Sequence, residues 1–173
     1  MFFRSVILLT LIGIALGLFV GILDSFLHFV NIEGFKVVNI IVFVLFFVGV
    51  YWSVAFLRER LKNGIISYMG AFRNTLYVGI VAAIIISTVR YVFLTYIIKI
   101  DITEILDHTK ESMLNRYSLY SDEIIKNRLS FIEFSYDPIV SSLLYFGYYL
   151  VFVIVFAFFA SFILRRIDRN ISI

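Results

Sequence analysis

Arg90 is the residue best placed to do chemistry, because it interrupts an otherwise uncharged apolar run from about Thr75 to Ile98. On insertion scales an arginine at the centre of a bilayer span costs roughly 2.5–3.5 kcal/mol, and such residues mark sites or pairs by default. Its natural partner is Asp24, the one charge in another long apolar run. His28 lies one helical turn beyond Asp24 on the same face and could join them. Two readings stand. Arg90 snorkels towards an interface and pins two helices together, or Arg90, Asp24 and His28 form an intramembrane polar site that takes an anionic head group or substrate.

No other constellation has the spacing that catalysis needs. The two histidines, His28 and His108, have no metal-ligand spacing to each other or to a carboxylate pair. The chain has no cysteine, which removes disulfides, thiolate nucleophiles and cysteine-ligated metals. A P-loop, a Gly-x-Ser-x-Gly elbow and paired carboxylates within a span are all missing from the sequence. The expectation is a protein that is not an enzyme and carries no cofactor or metal, with a membrane hydrolase and an ATP-driven pump argued against.

The elements that must position Arg90 and Asp24 are membrane helices. Of the 173 residues 62% are apolar and only 16% charged, against about 25% charged in soluble domains; the mean hydropathy is +1.01. A spanning helix needs ~20 predominantly apolar residues, and four stretches qualify, at about 5–30, 37–57, 75–98 and 138–164. Runs of that length exclude barrel strands, which alternate over ~10 residues. The first run is too long for a signal peptide and ends in Leu23, Asp24, Ser25 and Phe26, with no small-residue cleavage site, so it reads as a retained span. The fold class expected is all-α: one polytopic domain of four transmembrane helices.

Orientation follows from lysine and arginine placement. Arg4, the segment from Arg58 to Arg73 and the C-terminal tail together hold eight basic residues and two acidic ones; the opposite side holds seven basic and ten acidic. The basic side is expected to be cytoplasmic, with both termini inside and residues 99–137 outside. The pI near 9.2 is then a topology signal, and no nucleic-acid partner is expected.

The outer segment carries two amphipathic patterns. One starts at Asp101 and places Ile105, Leu106, Met113 and Leu114 amid acidic and basic residues. The other starts at Ser121, a good N-cap, and puts Ile124, Ile125, Leu129 and Ile132 on a face. They join near Tyr117–Tyr120, and their apolar sides suit either the membrane surface or the helix bundle. Asp137 and Pro138 restart the chain as the fourth span. On the inner side Asn63 and Gly64 turn the chain within the headgroup layer, and Ser67 caps a helix running into the third span.

Small residues recur every four positions in two spans: Gly13, Gly17, Gly21 and Ser25 in the first, Thr75, Gly79, Ala83 and Ser87 in the third. Such faces let backbones approach closely where lipid provides no hydrophobic drive. The expectation is that the two faces pack together within the chain, with homo-oligomerisation through the glycine face as the alternative. Aligning them puts Asp24, three residues after Gly21, level with Arg90, three after Ser87. Tyr51, Trp52, Tyr145, Tyr148 and Tyr149 read as interface-belt residues.

These segments also resemble a known family. Gly64, Ser67, Tyr68, Gly70, Ala71, Phe72 and Arg73 are similar to the "G-x-I-S-F-x-x-A-F-K" segment of small Bacteroidota membrane proteins, the domain of unknown function 4199 family. Tyr91 to Ile97 resembles that family's "Y-x-Y-x-F-x-Y-I" stretch, and Asp137, Pro138, Arg165 and Arg166 resemble the bounds of its last span. The proline common after the family's third span has no counterpart at Ile100 and Asp101. The resemblance implies the four-span topology and a bacterial inner-membrane location, and it leaves the activity open.

The leading expectation is a non-enzymatic accessory or scaffold subunit partnering another inner-membrane protein and membrane lipids. The rival is a small transporter or lipid-handling protein acting near Arg90 on an anionic substrate, a polyprenyl-linked one if the resemblance extends that far. A pocket lined by Arg90, Asp24 and tyrosines favours the rival; a solid core with an apolar groove favours the subunit. The charge asymmetry makes a direct prediction. A reporter fused after residue 173 or inserted near Asn63 reads cytoplasmic, and one inserted near Tyr120 reads extracytoplasmic; the reverse pattern would refute the orientation.

Overall fold

The computed structural model describes residues 2–30, 35–61, 64–97, 106–107, 110–111 and 122–165. Its elements are all helical: α1 (Phe2–Val30), α2 (Phe35–Leu61), α3 (Tyr68–Val92) followed by a π-helical turn (Phe93–Ile97), α4 (Asp122–Tyr136) and α5 (Pro138–Leu164). Four segments are long and apolar enough to cross a bilayer: Arg4–Phe26, Ile40–Arg60, Tyr68–Ile97 and Pro138–Leu164. The chain is a multi-pass membrane protein.

The third helix begins at Tyr68, seven residues before the apolar run suggests, because Ser67 caps it: the Ser67 hydroxyl accepts from the Gly70 amide at 3.2 Å. Gly64 makes the preceding reversal at φ +78°, in the left-handed region that favours glycine, and its amide donates to the Arg58 carbonyl at 3.0 Å. Ile66 is then drawn inward. It is buried with Val54, Ala71, Ala160 and Leu164, so this connection is tied into the bundle. At the same end the buried Arg58 donates from Nη1 to the Leu164 carbonyl at 3.1 Å and from Nε to Glu59 at 2.9 Å. A cation thus meets an orphan carbonyl at the C-terminus of α5, where the helix dipole favours it.

α3 is central. The glycines of α1 lie against it in parallel: Gly13 against Val78 and Val81, Gly17 against Ala82 and Ile85, Gly21 against Ile86 and Val89. The small face of α3, however, does not meet the small face of α1. Gly79 instead receives Val153 of the antiparallel α5, and Thr75 and Ala83 of the same stripe are buried. Ser87 bonds its own helix at Ile84. The physical reason is contact area. Two flat faces leave few atoms to touch, whereas a flat face receiving a valine ridge fills the gap with dispersion contacts. α2 closes the bundle with Phe43, Phe46 and Phe47, whose rings pack on Tyr149, Phe152 and Phe156 of α5 at centroid separations of 4.5–6.0 Å.

Beyond the bundle, α4 buries Ile125 and half-buries Leu129 and Ile132, while Ile124 is exposed on the other side with Phe131 and Phe134. The expected grouping of Ile124 with Ile125 therefore splits, since adjacent helical residues point ~100° apart. Ser121, most of the helix expected from Asp101 and the joint at Tyr117–Tyr120 lie outside the described residues. Asp137 caps α5, with Oδ1 accepting from the Ile139 and Val140 amides at 2.9 Å each, and Pro138 occupies the first turn.

Two glycines give a controlled test of this packing. A β-carbon at Gly17 would stand 2.7 Å from the Ala82 carbonyl oxygen, whereas one at Gly147 meets nothing within 4 Å. Gly17→Ala should cost about 1–3 kcal/mol by overpacking, and Gly147→Ala should leave thermal stability in detergent unchanged or slightly raised. Equal stabilities for the two variants would contradict the α1–α3 contact.

Candidate functional site

The glycine contact between α1 and α3 carries its register one turn further, and Asp24 arrives beside Arg90. Asp24 is 3% exposed and Arg90 9%. Nη1 of Arg90 stands 3.9 Å from Oδ2 of Asp24, close enough for strong attraction but beyond hydrogen-bond reach. Nε of Arg90 donates to the Ser141 hydroxyl at 3.1 Å, and the guanidinium lies over the Tyr145 ring, 3.7 Å from its centroid. Three helices therefore contribute: α1 the carboxylate, α3 the cation, α5 the hydroxyl and the ring.

Magnitudes say what this arrangement is worth. At an effective dielectric of ~20 the attraction across 3.9 Å is about 4 kcal/mol, while burying each ion costs several kcal/mol. The cation–π contact adds ~2 kcal/mol when desolvated, and the bond to Ser141 ~1.5–3 kcal/mol. The arrangement roughly breaks even as a stabilising device. An apolar pair would hold the helices together as well, so stability alone does not account for two buried charges.

Beside the pair opens a half-open cavity of ≈ 430 Å³, lined by Asp24, Phe43, Arg90, Leu144, Tyr145, Tyr148 and Tyr149. Its lining is largely apolar, with the charges at one wall. Oδ2 of Asp24 is buried and accepts no hydrogen bond from any described residue. The π-helical turn begins three residues after Arg90, and the Phe93 amide is shared between the carbonyls of Arg90 and Val89. Single π turns recur at functional sites. Among the described residues no group of three His, Cys, Asp or Glu side chains could hold a metal ion.

Of the residues singled out in the sequence, Arg90 and Asp24 stand together. His28 belongs to α1, but its side chain lies outside the described residues. Arg90 does not extend along the helix to an interface; it turns inward onto Ser141 and Tyr145. Gly13, Gly17 and Gly21 set the register, Ser25 is buried beside Asp24, and Thr75, Gly79 and Ala83 lie in the buried stripe that includes the Val153 contact. Ser141 and Phe43 are not among the residues singled out in the sequence, and the interface-belt reading of Tyr145 and Tyr149 does not fit the structure, in which Tyr149 is 3% exposed. A signal was present: Ser141, Tyr145, Tyr148 and Tyr149 follow the i, i+4, i+7, i+8 spacing of one helix face.

The family model described as a protein of unknown function (DUF4199) matches residues 5–166. No curated protein and no solved structure matches the chain.

The pair makes a prediction of its own. Arg90→Leu and Asp24→Leu should each destabilise the protein, towards the ~3–5 kcal/mol known for breaking a buried pair. The double substitution should recover most of that loss, and the cycle isolates the coupling. Additive losses in detergent melting curves would mean that the two side chains do not interact.

Proposed function

We propose that this chain, which belongs to the DUF4199 family of proteins of unknown function, is a non-enzymatic lipid-handling protein of the bacterial inner membrane. It binds the polar head of a lipid between α1, α2, α3 and α5. Its termini face the cytoplasm, in keeping with the basic residues at that end of the bundle, and the cavity, lined by Leu144 and Tyr145 of the N-terminal half of α5, then lies towards the outer end.

The observation that carries this reading is a buried guanidinium in the wall of a half-open, otherwise aromatic cavity. The site combines one fixed cation that receives a phosphate oxygen with apolar surroundings that raise its electrostatic worth. Two of the lining side chains, Leu144 and Tyr148, are also exposed on the outside of the bundle, and acyl chains can lie along them without leaving the bilayer. The pair itself calls for no bond making: Asp24 and Arg90 face each other across 3.9 Å. The accessory-subunit expectation required an apolar groove with a solid core, and the cavity favours its rival.

Lipid retention tests the reading. Wild type purified in mild detergent should carry phospholipid at near-stoichiometric amounts in native mass spectra. Arg90→Leu should retain about 10–100-fold less, the worth of a lost charge-assisted hydrogen bond. Arg90→Lys keeps the charge and should retain an intermediate amount. Equal retention by wild type and a folded Arg90→Leu variant would overturn the proposal.

A further inference from the structure

Asp24 narrows the ligand chemistry beyond a phosphate. A site made for anions alone gains little from a carboxylate 3.9 Å from its arginine. A phosphate drawn to Arg90 is repelled by Asp24 at nearly the same distance, so most of its attraction cancels. A lone cation drawn to Asp24 meets the converse problem. Only a ligand with both signs, each presented to its opposite, gains from both side chains and brings no net charge into a poorly hydrated cavity.

The hydrogen-bond inventory indicates which kind of cation. Oδ2 of Asp24 is a buried acceptor with no donor among the described residues, although the residue is 3% exposed and lines the cavity. Buried carboxylate oxygens need a partner. A primary ammonium supplies three N–H donors; a quaternary ammonium supplies none. The walls suit a cation as well. Arg90 covers the face of Tyr145, leaving Phe43, Tyr148 and Tyr149, which form one ring cluster with centroids 5.5–6.0 Å apart, to surround a second positive charge.

Resting on the lipid-binding reading above, we infer that the head group held here is a zwitterion with a primary ammonium two carbons from a phosphate, an ethanolamine phosphate. Its ammonium docks on Asp24 among Phe43, Tyr148 and Tyr149, and its phosphate docks on Arg90. The ammonium and phosphate are shared by a phosphatidylethanolamine in the bilayer and by water-soluble ethanolamine phosphate, whose monoester phosphate carries additional negative charge at pH 7, and competition separates the two sources. A choline head group fits the aromatic walls but leaves Oδ2 without a donor, and a glycerol head group leaves Asp24 without a cation.

Native mass spectrometry of the purified full chain, titrated with phosphatidylethanolamine, phosphatidylcholine and phosphatidylglycerol in detergent, tests the inference. Wild type should prefer the ethanolamine lipid by about tenfold over each of the others, the factor expected for one buried acceptor left unpaired. Asp24→Asn should bring the ethanolamine lipid down to the level of the glycerol lipid while total retention persists. Displacement of the bound lipid by free ethanolamine phosphate would support the same chemistry with a soluble source; resistance to it at millimolar concentration would assign the lipid. Equal or greater binding of the glycerol or choline lipid by wild type would overturn the inference and leave lipid binding standing, and this ratio decides even if Asp24→Asn fails to fold. Loss of all lipid classes, with wild type no better than Arg90→Leu, would overturn the lipid-binding reading itself.

Discussion

Close approach of helix backbones is the constraint on which the rest of this bundle depends. In lipid, two apolar helices gain nothing by hiding from water, so association rests on contact and on the few polar groups that need each other. α1 meets the need with Gly13, Gly17 and Gly21, each placing its backbone directly on the valine and isoleucine ridge of α3. α3 repeats the device towards α5, where Gly79 takes Val153. The helix with a glycine face on one neighbour and a glycine hollow for another becomes the centre, and α2 fills the remaining side with phenylalanine.

The site is a consequence of that packing rather than an addition to it. Ala82, Ile86 and Arg90 share one face of α3 at four-residue spacing, so the ridge that the α1 glycines grip ends in the guanidinium. Gly21 and Asp24 are three residues apart on α1, so the last glycine contact delivers the carboxylate to it. α5 runs antiparallel, and its first turns bring Ser141 and Tyr145 to the same level. A substitution that separates α1 from α3 at Gly17 must therefore also separate the charges, linking bundle stability and site integrity through one contact.

Much of this was legible in the sequence and some was not, for identifiable reasons. Hydropathy finds the four spans because ~20 apolar residues in a row have few other uses. The depth of the Asp24–Arg90 pairing follows from counting along the glycine stripe: Gly21 was aligned with Ser87 and lies at Ile86 and Val89. The face of α3 could not be read in the same way. A helix in lipid is apolar all round, so the periodicity that tells inside from outside in a soluble protein is nearly absent. For α5 the same uniformity hid Ser141, and the tyrosines matched an interfacial belt as well as a buried stripe. The start of α3 lies outside the apolar run, but it is legible from turn and cap chemistry: Gly64 makes the reversal and Ser67 caps the helix, as their residue types indicate.

Arg58 and Arg90 show how environment separates two buried arginines with similar exposure. Arg58 is 9% exposed, like Arg90, but it has a structural account. Its Nη1 satisfies the carbonyl of Leu164, and Glu59, bonded at Nε and half-exposed, balances its charge where water can reach. Each of these contacts favours a helix-end clamp. Arg90 instead faces a carboxylate too far away to bond and an oxygen with no donor, beside a cavity large enough for a head group. The guanidinium is held by the Ser141 hydroxyl and the Tyr145 ring rather than by the carboxylate. The open geometry is what a binding site requires: the cation fixed in place by other partners, and the carboxylate oxygen still short of the bond that a zwitterion supplies.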